Sequence, residues 1–211
     1  MQAGAATVAA LVLSLGGSPA LAAPAPYDIA FVSEFADACV PGRLSYETTQ
    51  QAALGAGWNA VERAANAELD AMMAISEAAV AEIDPEFAAT FDYKLFAKPI
   101  EGVVHYLVVS LSSSQASEQD SWNLVGCYLY NFDAAASIDP EPVSALIGNP
   151  IADSQVDMHI TSYAWGPPPA MPRTLDTYLT FVPEVSQYRD QSGFSGLVLK
   201  FSTSEADAGG V

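Results

Sequence analysis

The hydrophobic pattern of this chain changes period once, near residue 90, and that change fixes the class of fold. Before it, apolar residues recur at helical spacing. Asp28 to Cys39 carries Phe31, Val32, Phe35 and Ala38 on one stripe, and Pro41-Gly42 ends it. Ser45 is placed to cap a second helix running to Ala56, with Gly57 as its stop. Residues 62 to 83 are Ala-rich with a stripe of Leu69, Met72, Met73, Val80 and Ile83, closed by Asp84-Pro85. Those methionines read as packing rather than as an adaptable binding surface.

After residue 90 the alternation is that of strands. Thr90 to Ala97, Val103 to Ser112 and Trp122 to Phe132 form one group, separated by short connections that favour an antiparallel meander. A small helix follows, with Asp139 as its cap, Pro142 near its start and Gly148-Asn149-Pro150 as its stop. Val156 to Trp165, Leu175 to Val182 and Phe194 to Ser202 form a second group. The expectation is an α+β domain: N-terminal helices packed on an antiparallel sheet of about six strands, two three-stranded meanders separated by a short helix. Gly166 to Pro172 contains four prolines and reads as a stiff exposed link between strands, a rigid connection before a partner-docking segment.

The N-terminus reads as an address. Residues 5 to 15, AATVAALVLSL, form a short apolar run, broken by Gly16, Gly17 and Pro19. Ala20-Leu21-Ala22 then offers a small-x-small cleavage site before Ala23. The run is too short for a bilayer core that needs about 20 helical residues. Residues 1 to 4 contribute no Lys or Arg, so the positive end rests on the amino terminus. No Cys follows the cleavage site to take a lipid anchor, and nothing later is apolar for long enough to span a membrane. The expected division is a cleaved signal peptide at 1–22, one domain at 23–204 and a fraying tail at 205–211. The expected location is the bacterial periplasm or the exterior.

Removing 22 of the 211 residues leaves 189, enough to bury a sizeable core. A mean hydropathy of +0.21 excludes a disordered chain. The net charge of −18, from 25 acidic against 7 basic residues, is dispersed rather than blocked. A field of that sign disfavours nucleic acid and anionic membrane surfaces. Cys39 and Cys127, the two cysteines, both point toward a core: one ends the first helix and the other sits among Val125 and Leu129. In an oxidising compartment they are expected to pair, clamping the first helix onto the sheet.

Candidate chemistry is thin. Asp157 and His159, two apart on an expected strand, would share a face and could serve as acid/base groups. His105 lies in an apolar run and reads as a satisfied core or strand-edge residue. No metal site is expected, since zinc normally takes three or four protein ligands, and no cofactor motif is present. Gly193-Phe194-Ser195-Gly196-Leu197 approximates a nucleophile elbow, but it lacks the final Gly and leads into a strand instead of a helix. The sequence reads this stretch as a hairpin turn.

The remaining feature is aromatic. Tyr128, Tyr130 and Phe132 alternate away from Cys127, with Trp122 at the start of the same face, and Tyr163 and Trp165 share a face of a later strand. Such rings suit ligand or glycan surfaces, while the plainer reading places them under covering helices. The function expected is non-enzymatic: an exported soluble domain that binds a small molecule, a glycan or an envelope protein. The alternative is a periplasmic hydrolase working through Asp157 and His159, with His105 as a further candidate.

Overall fold

Eight antiparallel strands join edge to edge into one sheet, with helices on one face and a partial cover on the other. In the computed structural model, residues 25–83, 85–115 and 121–204 are described. The expected signal peptide at 1–22 and the tail at 205–211 lie outside these residues. The first four strands are β1 (Asn59–Ala60), β2 (Thr90–Ile100), β3 (Val103–Gln115) and β4 (Ser121–Asn131). The second four are β5 (Asp153–Val156), β6 (Thr161–Trp165), β7 (Thr174–Val182) and β8 (Gly196–Ser204). Their order in the sheet is β1-β2-β3-β4-β8-β7-β6-β5, so each half is a meander and the two halves meet where β4 pairs with β8.

The α+β class and the antiparallel pairing follow the sequence expectation; the count of six strands does not. β1 is too short to show alternation. β5 and β6 replace the single strand expected from Val156 to Trp165, because the chain turns over at Asp157. The Asp157 carboxylate accepts hydrogen bonds from the backbone N–H groups of His159 (2.7 Å) and Ile160 (3.0 Å), which closes the hairpin. An Asp that caps its own turn breaks a strand that periodicity alone would continue.

α1 (Pro26–Cys39) begins with Pro at its first position, where no N–H is needed, and buries Phe31, Val32, Phe35, Ala38 and Cys39 on one stripe. α2 (Tyr46–Gly55) is capped by Ser45, and Thr49 Oγ1 donates to Gly42 O at 2.8 Å, folding the α1–α2 link back on itself. α4 (Glu141–Ile147) starts where Asp139 Oδ1 accepts from Glu141 N and stops at the left-handed Gly148. Helices α1, α2 and α4 cover one face of the sheet, over Leu107, Val109, Cys127, Leu129, Leu179, Leu199 and Phe201. Each large apolar side chain fully buried there contributes about 1.5–3 kcal/mol. Lys98 on β2 reaches up to Glu34 of α1 at 2.6 Å, and its ammonium also donates to Ala56 O.

α3 (Ala67–Ala81) lies on the opposite face, shorter than the helix expected from 62 to 83 because Arg63–Ala65 forms a separate 3-10 turn and Asn66 caps the new start. Its Leu69, Met72 and Met73 pack on Leu95, Val108, Tyr130 and Val198. Farther along, Ile75 and Ile83 remain exposed, so only the first turns of the expected stripe meet the sheet. α5 (Arg189–Ser192) is a single turn before β8. The proline link after β6 is less exposed than expected: Pro168 is buried and Met171 packs into the helix-side core.

Cys39 and Cys127 stand at disulfide distance, 5.8 Å between Cα atoms, and join the end of α1 to the middle of β4 across 88 residues of sequence. Closing a loop of that size removes about 4.6 kcal/mol of denatured-state entropy in the chain-entropy account. The Cys39→Ser, Cys127→Ser double variant is therefore expected to melt lower by on the order of 10 °C, measured by circular dichroism under non-reducing conditions.

Candidate functional site

On the face opposite α1, three strands bring three side chains into one row. Tyr128 on β4 is the register partner of Lys200 on β8, and Lys200 is the register partner of Tyr178 on β7. All three are half-buried. The Lys200 ammonium stands 5.5 Å from the centre of the Tyr178 ring and 6.0 Å from that of Tyr128, within the range of cation–π attraction. Burial holds the Lys200 amine below the ordinary lysine range, because the site disfavours the charged form.

Two local devices shape the site. Between Thr174 and Thr177 the β7–β8 register slips, so Leu175 and Asp176 together oppose Ser202. The bulge lets Thr174 and Thr177 both turn into the helix-side core and pushes Leu175 and Asp176 out to the rim of the row. At the other end stands Gly126. A Cβ there would come within 2.6 Å of both Tyr128 Oη and Ser110 Oγ, so the absence of a side chain is what lets the Tyr128 ring lie flat along β4. The result is a small cavity of about 220 Å³ bounded by Tyr128, Leu175, Asp176, Tyr178, Lys200 and Ser202. Tyr178 O–H donates to Asp176 at 3.4 Å, and burial followed by the Asp176 charge keeps that phenol protonated.

Lys200 differs from the other half-buried cations in having neither a carboxylate nor a hydrogen-bond acceptor. Lys98 pairs with Glu34 and Arg63 with Asp70 and Glu77, while Arg43 donates to Thr174 Oγ1 and Pro172 O. Lys200 enters no ion pair and donates no hydrogen bond to the described residues. Beyond it the face stays open: Ser162, Ala164 and Thr180 are half-exposed, and Asp153 and Gln155 on the β5 edge are exposed.

The residues singled out from sequence are scattered over this frame. Tyr128 belongs to the row. Tyr130, its neighbour on the same face, is covered by Phe194, whose ring meets it edge-on at 5.4 Å, and by α3. Tyr163 and Trp165 lie on the other side of the sheet; Trp165 is fully buried and its Nε1 donates to Ser144 Oγ of α4 at 2.9 Å. Asp157 and His159 do not form a carboxylate–imidazole pair, since the Asp157 carboxylate is occupied by turn amides and by Gln155 Nε2. His159 Nδ1 is buried without a hydrogen-bond partner among the described residues.

His105 sits under α1, fully buried, and both ring nitrogens are engaged. Nδ1 donates to Val103 O at 2.8 Å, so Nε2 accepts from Tyr27 O–H at 2.7 Å, and Tyr27 in turn accepts from Asn131 Nδ2 at 2.6 Å. That chain requires the neutral ring. A larger cleft lies elsewhere, about 740 Å³ between the start of α3 and the link from β7 to β8. Ser195 is on its wall, with Oγ donating to Glu68 Oε1 at 2.8 Å, and Arg189 holds the same carboxylate oxygen. Among the described residues no cluster of three or more His, Cys, Asp or Glu side chains is placed to hold a metal ion.

Burial pushes the His105 imidazole below its ordinary value, against weaker opposing pulls from the Val103 carbonyl, Asp133 and Glu34. The unfolded chain then takes up the proton first, so this residue costs stability as pH falls below about 6.5. In urea unfolding between pH 7.5 and 5, the stability lost on acidification is expected to be smaller in His105→Gln, which keeps an acceptor for Tyr27 and cannot titrate.

Comparison with protein-family models, with curated proteins and with solved structures finds no match to this chain.

Proposed function

We propose that this chain is an exported, non-enzymatic binding domain of the bacterial envelope whose small ligand seats on the open sheet face, against Tyr128, Lys200 and Tyr178. The observation that carries the reading is Lys200, a half-buried ammonium between two tyrosines with no carboxylate of its own. A buried charge is normally paired, and one left unpaired beside a cavity is free to meet a ligand's polar group. The tyrosines add flat apolar area with polar tips at low entropic cost. Export agrees with two cysteines placed to pair and with the apolar run at residues 5–15. The hydrolase alternative gains no support, because the carboxylate it needs is spent on closing a turn.

The test is a fragment titration of isotope-labelled protein by NMR, using neutral monosaccharides, uronic acids and small aromatic or carbonyl compounds. A bound fragment is expected to shift resonances of residues 126–130, 175–179 and 199–202. Tyr178→Ala, with unchanged circular dichroism, is expected to weaken that binding about tenfold, equivalent to ~1.4 kcal/mol. Shifts confined to the cleft beside Arg189, or no shifts at all, would contradict the proposal.

A further inference from the structure

We propose that Lys200 is a nucleophilic amine that captures a small neutral aldehyde or ketone as an imine within the Tyr128–Tyr178 cavity. The inference rests on the reading above that this cavity is the ligand site, and it adds the chemistry of what binds there.

The three lysines of the chain provide the contrast. Lys94 is exposed, and Lys98 is tied to Glu34 and to Ala56 O. An ion-paired ammonium keeps its proton and has no lone pair to offer. Lys200 alone of the three is half-buried without a carboxylate, a setting that loosens the hold on its proton and makes the amine the better nucleophile.

The surroundings also select the electrophile. The protein carries a net charge of −18, and Asp176 stands on the cavity rim, so a free anion is repelled both from afar and at the mouth. A neutral carbonyl compound meets no such barrier. The volume of about 220 Å³ matches roughly seven waters at about 30 Å³ each, which admits a molecule of a few heavy atoms. Leu175 and the two rings supply apolar walls for a short carbon chain.

The step balances without an oxidant or a reductant. The Nζ lone pair attacks the carbonyl carbon, forming the C–N bond. The carbonyl π pair moves to oxygen, which takes up a proton, and nitrogen loses one to solvent. The carbinolamine hydroxyl then takes up a proton from solvent and leaves as water while the nitrogen lone pair closes the C=N bond, which yields the protonated imine. A protonated imine is again a cation, and it keeps the same position between the Tyr128 and Tyr178 ring faces that now hold the ammonium. The two rings thereby stabilise the product cation, while the lack of a carboxylate leaves the free amine available.

Propanal with cyanoborohydride at pH 7 supplies the test, the adducts being mapped by peptide mass spectrometry on the folded, disulfide-intact protein. Lys200 is expected to be alkylated at least tenfold faster than Lys94, and the preference is expected to vanish in urea. Tyr128→Phe and Tyr178→Phe, which keep the rings, should retain it. Alkylation of Lys200 at or below the rate of Lys94 overturns the imine chemistry, whether or not fragments bind the site. The fragment shifts decide the binding reading separately, so failure of one is distinguishable from failure of the other.

Discussion

The pairing of β4 with β8 is the interaction on which the rest of the structure depends. Residues 124–131 run against 197–204 and make one sheet out of two meanders that the chain links through the α4 connection. Both strands are apolar toward the helices, with Cys127, Leu129, Leu199 and Phe201 fully or nearly fully buried. The Phe35 ring of α1 meets Phe201 edge-on at 5.1 Å, and Cys39 meets Cys127 one strand away. The first helix is therefore fastened to the seam itself, from both halves. Alternation then fixes the reverse side: residues between the core positions must face the other way, which puts Tyr128 and Lys200 back to back with the clamp.

Unequal coverage of the two faces turns this architecture into a site. Helices α1, α2 and α4 close one face, and α3 on the other meets the sheet chiefly over β2, β3, β4 and β8 through its first turns. At the border of that cover a sheet normally grades into solvated polar residues, as it does here at Thr180 and Ser162. Lys200 interrupts the gradient. It lies deep enough for burial to lower its basicity, yet next to open volume and aromatic rings in place of an acid. The β7 bulge and Gly126 both act on this border, one placing Asp176 and Leu175 at the rim and the other giving the Tyr128 ring its seat.

Much of the frame is legible in the sequence. The α1 stripe, the Ser45 cap, the Asp139 start and Gly148 stop of α4, the main strands and the cysteine pair all follow from periodicity, capping chemistry and core-facing positions. What escapes has a physical reason in each case. β5 is exposed at every position and polar up to Val156, so nothing in Asp153 to Val156 alternates. The turn at Asp157 is encoded by one carboxylate that also fits a strand-borne acid/base pair. Tyr130 and Trp165 read from sequence either as ligand-facing rings or as rings under helices, and two different helices cover them, one on each side of the sheet. Lys200 escapes because a single lysine on a strand reads as a solvated residue. Its isolation from carboxylates is a property of register and of the neighbouring strands, and no local pattern records it.

The binding site depends most directly on the ionisation of Lys200. A titration of the lysine side-chain Cε and Nζ resonances by NMR, with Lys200→Arg to assign the signal, compares its midpoint with that of the exposed Lys94 in the same sample. Lys200 is expected to titrate at lower pH than Lys94 in the folded protein and to rejoin it on unfolding. A Lys200 midpoint equal to or above that of Lys94 would mean that the amine is as well solvated or paired as an ordinary surface lysine, and would contradict the site.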